Sequence, residues 1–375
     1  MSGGPVKGWC PGALTPMPAQ DGLILRIRPH AARLAPEQGR ALADLAARFA
    51  RGRIELTSRA NLQLRGVRAA DLAALQAGLR DAGLLDPDPE TERRRNILCT
   101  PLWRPGDGTL ALADELRARL AELPALPAKF GFAIDTGPAA VLGRASADLR
   151  LERAPGGLIL RAEGMAAGEP VAADAAIDRL IALAHWFARH AGKRRRMAQL
   201  VAEGLLPLRA EVAPLTAPVP APGATPFGAL RALPLGQIAA ATLQALAVAP
   251  LRLTPWRALL LESAPAAAPD LIADPLDPRL RLAACIGRAG CAAATVETRA
   301  LALGLAHLLP AGALLHVSGC AKGCAHPGPA TITLTGRDGR FDLIRGGRAG
   351  DAPLCRDLHP DDLSAILRDH DAPSL

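Results

Sequence analysis

One pattern of strand and helix occurs twice in this chain, on either side of a proline-rich break, and this repetition restricts its folds more than any other feature. Leu23-Ile24-Leu25-Arg26-Ile27-Arg28 alternates as a strand does, Pro36 to Ala50 carries apolar residues at helical spacing, and Ile54-Glu55-Leu56-Thr57 alternates again. Beyond the break, Leu230-Arg231-Ala232-Leu233, a helix over Leu235–Ala247 and Leu251-Arg252-Leu253-Thr254-Pro255-Trp256-Arg257 follow in the same order. The last of these echoes Ile54 to Arg59, with Arg257 as the partner of Arg59. A chain that repeats such a unit folds as two similar halves, and a pocket between them is the expected place for a ligand.

The fold class expected is α+β. Residues 1–85 give an arm and a first split βαβ, ferredoxin-like half-domain, in which a strand Leu62–Val67 and a helix Ala69–Ala82 complete the unit. Residues 86–212 give a larger α+β domain, with helices over Leu110–Leu123 and Ala172–His190 and strands near Phe130–Asp135, Ala147–Leu151 and Gly157–Arg161. Residues 213–226 are the proline-rich linker, 227–280 the second half-domain, and 281–375 a cysteine-bearing α+β domain with a helix over Thr295–Leu309.

Two pairs of cysteines, Cys285 with Cys291 and Cys320 with Cys324, stand in glycine-rich loops of that last domain. Four thiolates from two loops suit a [4Fe–4S] cluster, since each iron takes one sulfur. A structural zinc is the rival, but its usual spacings are tighter than C-x5-C. Cys99 and Cys355 lack partners at ligand spacing and read as structural, while Cys10, unpaired in sequence, reads as a packed or incidental thiol with a position near the site as the alternative. His316 and His326 flank the second pair, where an imidazole either ligates a separate iron or holds a turn by a hydrogen bond. Asp135 suits a turn former or a proton donor equally.

The formal net charge is +8, carried mostly by arginine, while aromatic residues are 3 % and tyrosine is absent. With so little stacking surface no nucleic-acid partner is expected. Arginine instead suits acidic small molecules, because its planar fork grips a carboxylate at two points. The run Lys193-Arg194-Arg195-Arg196 reads either as a solvated helix end or as an anion-facing patch. No long charge-free apolar run and no apolar signal core after Met1 are present, so a cytoplasmic protein with no membrane partner is expected. An odd number of cysteines without a secretion signal argues for reduced thiols and metal ligation.

Leu25-Arg26-Ile27-Arg28, Leu56-Thr57-Ser58-Arg59-Ala60-Asn61-Leu62-Gln63, Arg95-Asn96-Ile97-Leu98-Cys99, Leu126-Pro127-Ala128-Lys129-Phe130 and the cysteine pairs, in this order, resemble the nitrite and sulfite reductase superfamily. Within it the chain is most similar to the precorrin-3B synthase family. The resemblance implies a duplicated nitrite/sulfite reductase-like architecture, two ferredoxin-like half-domains plus two larger α+β domains. It implies that Cys285, Cys291, Cys320 and Cys324 hold the [4Fe–4S] cluster. It further implies that Arg26, Thr57, Arg59, Asn61 and Gln63 meet the carboxylates of a tetrapyrrole, and that Arg28, Arg95 and Lys129 form the basic catalytic set.

The reductases carry a second lysine two residues after the first, where this chain has Gly131. Without that ammonium sulfite reduction is disfavoured, and the glycine is expected to open room for a tetrapyrrole that is substrate rather than cofactor. The activity implied is a monooxygenase of aerobic cobalamin biosynthesis, acting with O2 on precorrin-3A. NADH is the implied ultimate donor. The chain has no G-x-G-x-x-G, so a separate reductase or ferredoxin is expected to pass electrons on. A mononuclear non-haem iron or a sirohaem stays open as a further cofactor. The alternatives are a sirohaem-dependent nitrite or sulfite reductase and a non-catalytic iron–sulfur or zinc protein.

Overall fold

The computed structural model describes residues 10–263 and 268–368. Met1-to-Trp9 readings, including the N-terminal part of the arm, lie outside the described residues. The first unit comprises β1 (Met17–Ala19), β2 (Gly22–Ile27), β3 (Arg33–Leu34), α1 (Pro36–Phe49), β4 (Arg53–Leu56), β5 (Leu62–Val67) and α2 (Leu72–Asp81). Proline at the first position of α1, Glu37 in its first turn and Arg48 in its last agree with the helix dipole. The first larger domain follows with α3 (Pro89–Arg94), β6 (Ile97–Cys99), α4 (Thr109–Ala118), β7 (Phe132–Asp135), β8 (Leu149–Ala154), β9 (Gly157–Ala162), β10 (Glu169–Val171), α5 (Ala176–His190) and α6 (Met197–Ala202).

The second half repeats the plan. Its small unit holds β11 (Gly223–Thr225), β12 (Gly228–Ala232), β13 (Gln237–Ala239), α7 (Ala240–Leu246), β14 (Leu251–Leu253) and β15 (Ala258–Leu261). Its larger domain holds β16 (Leu282–Ala284), α8 (Arg299–Leu305), β17 (Leu315–Ser318), β18 (Ala330–Arg337), β19 (Arg340–Gly347), β20 (Cys355–Leu358) and α9 (Leu363–Arg368). Among the described residues these strands form sheets ordered β1-β2-β5-β4-β13, β10-β9-β8-β7-β6, β11-β12-β15-β14-β3 and β16-β17-β18-β19-β20.

The small units exchange a strand. β3 pairs with β14 in the second unit's sheet, and β13 pairs with β4 in the first unit's sheet. The cause lies just before each strand. Ala31 and Ala32 at φ 47 and 53, and Leu235 and Gly236 at φ 54 and 75, are left-handed, so each chain turns out of its own sheet and crosses to the other. The expected helix over Leu235–Ala247 is therefore shorter, beginning at Ala240, because its first residues are spent on this turn and on β13. Exchange merges the units: Leu25, Ile54 and Leu64 share one buried core with Leu230, Leu253 and Leu260. The Arg40 guanidinium seals the helix contact by donating to the Ala247 carbonyl at 2.7 Å.

The larger domains have separate cores, one around Phe132, Leu151 and Phe187, the other around Leu315, Val317 and Phe341. Their sheets share a topology: β6, β7 and β8 run parallel with β9 and β10 antiparallel, and β16, β17 and β18 run parallel with β19 and β20 antiparallel. The proline-rich segment is tied down at Ala140, whose N–H donates to Leu215 O at 2.7 Å and whose carbonyl accepts from Ala217 N at 3.0 Å. It also supplies β11 from Gly223 onward, so the second unit begins inside the segment expected to be a linker. No helix among the described residues is long and apolar enough to cross a membrane.

Candidate active site

The cysteine loops leave the carboxyl ends of two adjacent parallel strands, Cys285 following β16 and Cys320 and Cys324 following β17, which is where open α/β sheets place their ligands. All four thiols line one cavity of about 660 Å³, with Glu55, Leu56, Thr57 and Ser58 of the first unit and Gly236 and Arg257 of the second. The Gly319 N–H donates to Cys285 Sγ at 3.2 Å, and a Cβ at Gly319 would come within 3.4 Å of that sulfur and 2.5 Å of Ala294 Cβ, so only glycine permits this approach. Thr298 Oγ1 donates to the Cys285 carbonyl at 2.6 Å, and Ser318 Oγ to the Cys320 carbonyl at 2.7 Å. The Cys324 thiol is held above its ordinary pKa, first by burial and then by Cys320, Cys285 and Cys291, as expected of sulfurs gathered together. Among the described residues no three His, Cys, Asp or Glu side chains converge on one ion-sized point.

His316 lies under this loop on β17, fully buried, with neither ring nitrogen hydrogen-bonded, its ring edge-on to His326 at 5.7 Å. Burial, and then the neighbouring His326, push its pKa down to about 4, so the ring is neutral. His326 Nε2 meets the Pro329 carbonyl at 3.1 Å, the turn-holding bond that was one of its two readings.

The motif residues of the first unit sit on both sides of the β4–β5 turn. Thr57 Oγ1 accepts from Asn61 N at 3.2 Å and from Arg59 N at 3.4 Å, and Ala60 at φ 51 closes the turn. Thr57 and Ser58 face the cysteine cavity, while Arg59, Ala60 and Asn61 face a narrow cleft shared with Arg28 and Arg95. The Arg59 guanidinium donates to the Lys129 carbonyl and to Ser146 Oγ, each at 3.0 Å, and burial lowers its pKa. Arg28 donates to the Glu92 carbonyl and keeps a buried Nε without a partner; burial lowers its pKa against the opposing pull of Glu92. Arg95 is committed to Asp86 through two bonds of 2.7 and 2.8 Å. Lys129 is exposed. Asn61 is buried at 8 %.

Arg26 and Gln63 belong to a chain of polar contacts running toward the cysteines. Arg26 Nη2 donates to Gln63 Oε1 at 3.4 Å, Gln63 Nε2 donates to Glu55 Oε2 at 2.6 Å, and Arg299 at the start of α8 meets Glu55 at 2.6 Å. Glu55, Arg299, Arg257 and Lys322 were not singled out as site residues in the sequence. Lys322 had a signal, its place between two cysteines, and Glu55 had one in its position two residues before Thr57.

Two sequence expectations change here. Gly131 does not open a cavity: it is buried, and a Cβ there would meet Asn96 Nδ2 at 2.7 Å, whose amide is anchored to the Phe130 carbonyl at 2.6 Å. The reductases' second lysine has no place while Asn96 stands there. Arg257 is the counterpart of Ala60 rather than of Arg59. Thr57 N bonds Asn61 O and Thr254 N bonds Ala258 O, and the left-handed residue before each acceptor is Ala60 in one turn and Arg257 in the other. Trp256 thus occupies the place of Arg59.

The fold is of the nitrite and sulfite reductase-like class. Residues 16–82 match the family model described as the nitrite/sulfite reductase ferredoxin-like half domain. The solved structure of the Mycobacterium tuberculosis NirA protein is similar with a TM-score of 0.62 at 20 % identity, over 92 % of this chain and 79 % of that one. Within that class, a precorrin-3B synthase from Sinorhizobium sp is 32 % identical over 92 % of this chain and 84 % of its own length. The chain belongs to the precorrin-3B synthase family and is an oxidoreductase of that type.

Proposed function

We propose that this chain is a monooxygenase that uses O2 to hydroxylate precorrin-3A at a bridging carbon and closes a lactone from a neighbouring acetate. The observation that carries the reading is the gathering of four thiols on one cavity that the Thr57–Ser58 turn of the tetrapyrrole motif also lines. Four cysteines that line one cavity without converging on a single point, with a peptide N–H already donating to one of them, suit a cubane with a ligand at each corner better than one zinc ion. Cys285, Cys291, Cys320 and Cys324 would hold that cluster, which when bound supplies single electrons passed on from a separate reductase or ferredoxin.

The protein's own groups bind and orient. Arg59 and Arg28 offer half-buried guanidiniums to substrate carboxylates, where reduced solvation strengthens each charge-assisted bond. Arg95, already paired with Asp86, acts on the cleft by position rather than as a free charge. Lys129 supplies an exposed cation beside the segment whose carbonyl holds Arg59. Asn96, filling the space beside Gly131, removes the site of the second lysine on which a multi-proton reduction of sulfite would draw.

The test is incubation of reconstituted protein with precorrin-3A, a reductant and isotopically labelled O2. One labelled oxygen gained by the product supports the reading. A sirohaem Soret band retained after desalting, with turnover of nitrite or sulfite and none of precorrin-3A, would overturn it.

A further inference from the structure

Four basic side chains line the cavity against the cysteines: Arg65, Arg257, Arg299 and Lys322. Two are committed to acids of the protein, Arg65 to Asp21 at 3.0 Å and Arg299 to Glu55 at 2.6 Å. Glu55, the acid that lines the same cavity, is taken up by Arg299, Gln63 and Gln237. Among the described residues Arg257 has neither a hydrogen-bond partner for its guanidinium nor an acid beside it. Arg257 is exposed on this cavity, and desolvation there together with the like charge of Arg299 lowers its pKa, an effect that a bound anion would offset.

The backbone shows the same commitment. Arg257 is left-handed at φ 57, a region that residues with a Cβ seldom occupy. Its turn is clamped by Thr254 Oγ1, which donates to the Ala258 carbonyl at 2.8 Å and accepts from Trp256 N at 3.2 Å, while the Arg257 carbonyl accepts from Leu233 N at 2.8 Å. A small residue serves at the matching position of the first unit, Ala60 at φ 51. Arginine is thus not needed to make the turn, and its side chain is placed against the cysteine cavity.

We infer that Arg257 is a substrate-binding residue, the second unit's contribution to the site, which grips a carboxylate of the acidic tetrapyrrole on the cysteine side of the Thr57–Asn61 turn. Arg59 works from the other side of that turn. The inference rests on the tetrapyrrole reading above and adds to it a cation that the first unit's motifs do not contain.

The test titrates cluster-loaded protein with uroporphyrin, an octacarboxylate porphyrin, following porphyrin fluorescence, for the wild type and for Arg257→Gly and Arg257→Lys. Glycine adopts φ 57 freely, so the glycine variant removes the cation without straining the turn. Loss of one charge-assisted bond predicts about tenfold weaker binding or more for Arg257→Gly, with partial recovery in Arg257→Lys. The deficit should shrink for coproporphyrin, which has fewer carboxylates to place. Equal affinity of the wild type and Arg257→Gly within about twofold would overturn the inference while leaving the tetrapyrrole reading intact. Failure of the wild type to bind uroporphyrin would overturn both.

Discussion

The two larger domains share one sheet topology and use the same ends of the same strands differently. Thr100 N bonds Ile134 O at 2.9 Å after β6, and Cys285 N bonds Val317 O at 3.4 Å after β16, so Thr100 and Cys285 are equivalent, as are Asp135 and Ser318. In the first domain these ends are closed. The Asp135 carboxylate accepts from Val141 N at 2.8 Å and Leu142 N at 2.6 Å, and fully buried Arg150 pins the same loop through the carbonyls of Leu142 and Ala145 while bonding Glu163 at 2.5 Å. In the second domain the ends open onto the cavity and carry thiols. After duplication one copy of a scaffold can become packing and the other chemistry, because topology fixes where a loop begins and not what it holds.

The sharpest break of this symmetry is Cys285→Ser set against Thr100→Ser. On the proposed function the cysteine variant should lose the cluster, read as iron and sulfide falling from about four each per chain, together with all activity. Thr100→Ser should keep both. Equal iron content in the two variants would remove the functional asymmetry of the domains.

Arg150→Ala tests the closed end. It leaves two carbonyls and the Glu163 carboxylate without their partner, and should cost about 3–5 kcal/mol in urea unfolding of the first larger domain. The cysteine domain has its own core, so the iron content of the folded fraction should not change. A loss of iron in step with stability would show the two ends to be coupled.

Asp135 brings in pH. Burial, with Glu152 adding to it, pushes its carboxyl from 3.8 up to about 6. A raised pKa means that the folded protein binds the proton more tightly than the unfolded chain. Stability therefore rises as pH falls from about 6 toward the ordinary value, and the burial cost is fully present above about 6. Asp135→Asn keeps an acceptor for Val141 and Leu142 without the charge. Its stability relative to the wild type should improve by on the order of 2–3 kcal/mol between about pH 4 and about pH 7. Urea midpoints that differ by the same amount at both pH values would refute the assignment. Ser318, uncharged at the equivalent position, should give no such profile on replacement by alanine.

The legible parts of this comparison were those that repeat or pair. Alternation disclosed β2, β4, β5 and β12, and the two cysteine pairs pointed to the ends of β16 and β17, which the fold brings to one cavity. The exchanged strands were hidden because β3 and β13 are very short and earn their place from a partner in the other half, which no local period reports. Helical spacing ran through Leu235–Ala239 because two left-handed residues leave little trace when only one of them is glycine. Gly131 was visible as a departure from the reductases, but its reason was not: the filling side chain, Asn96, comes from a segment brought alongside only by the sheet. Arg257 was misaligned by one position for a similar reason, since turn equivalence is set by Thr57 and Thr254 and not by matching arginine to arginine.

Those two threonines give the smallest and most discriminating prediction. Thr57→Val removes acceptance from Arg59 N and Asn61 N, and Thr254→Val removes bonds to Trp256 N and the Ala258 carbonyl. Each should cost about 0.5–1.5 kcal/mol of stability, the net worth of such bonds. Their effects on ligand binding should part in a way that stability alone cannot produce. Thr57 fixes the backbone of Arg59, which reaches the Lys129 carbonyl and Ser146, so its loss should weaken uroporphyrin binding on the side of the narrow cleft. Thr254 fixes the backbone of Arg257, so its loss should weaken binding from the cysteine side, and Arg257→Gly introduced into Thr254→Val should add little. By contrast Arg257→Gly added to Thr57→Val should be close to additive, because the two turns would hold different carboxylates. Additivity in both double variants would mean that Thr254 acts on the fold and not through Arg257.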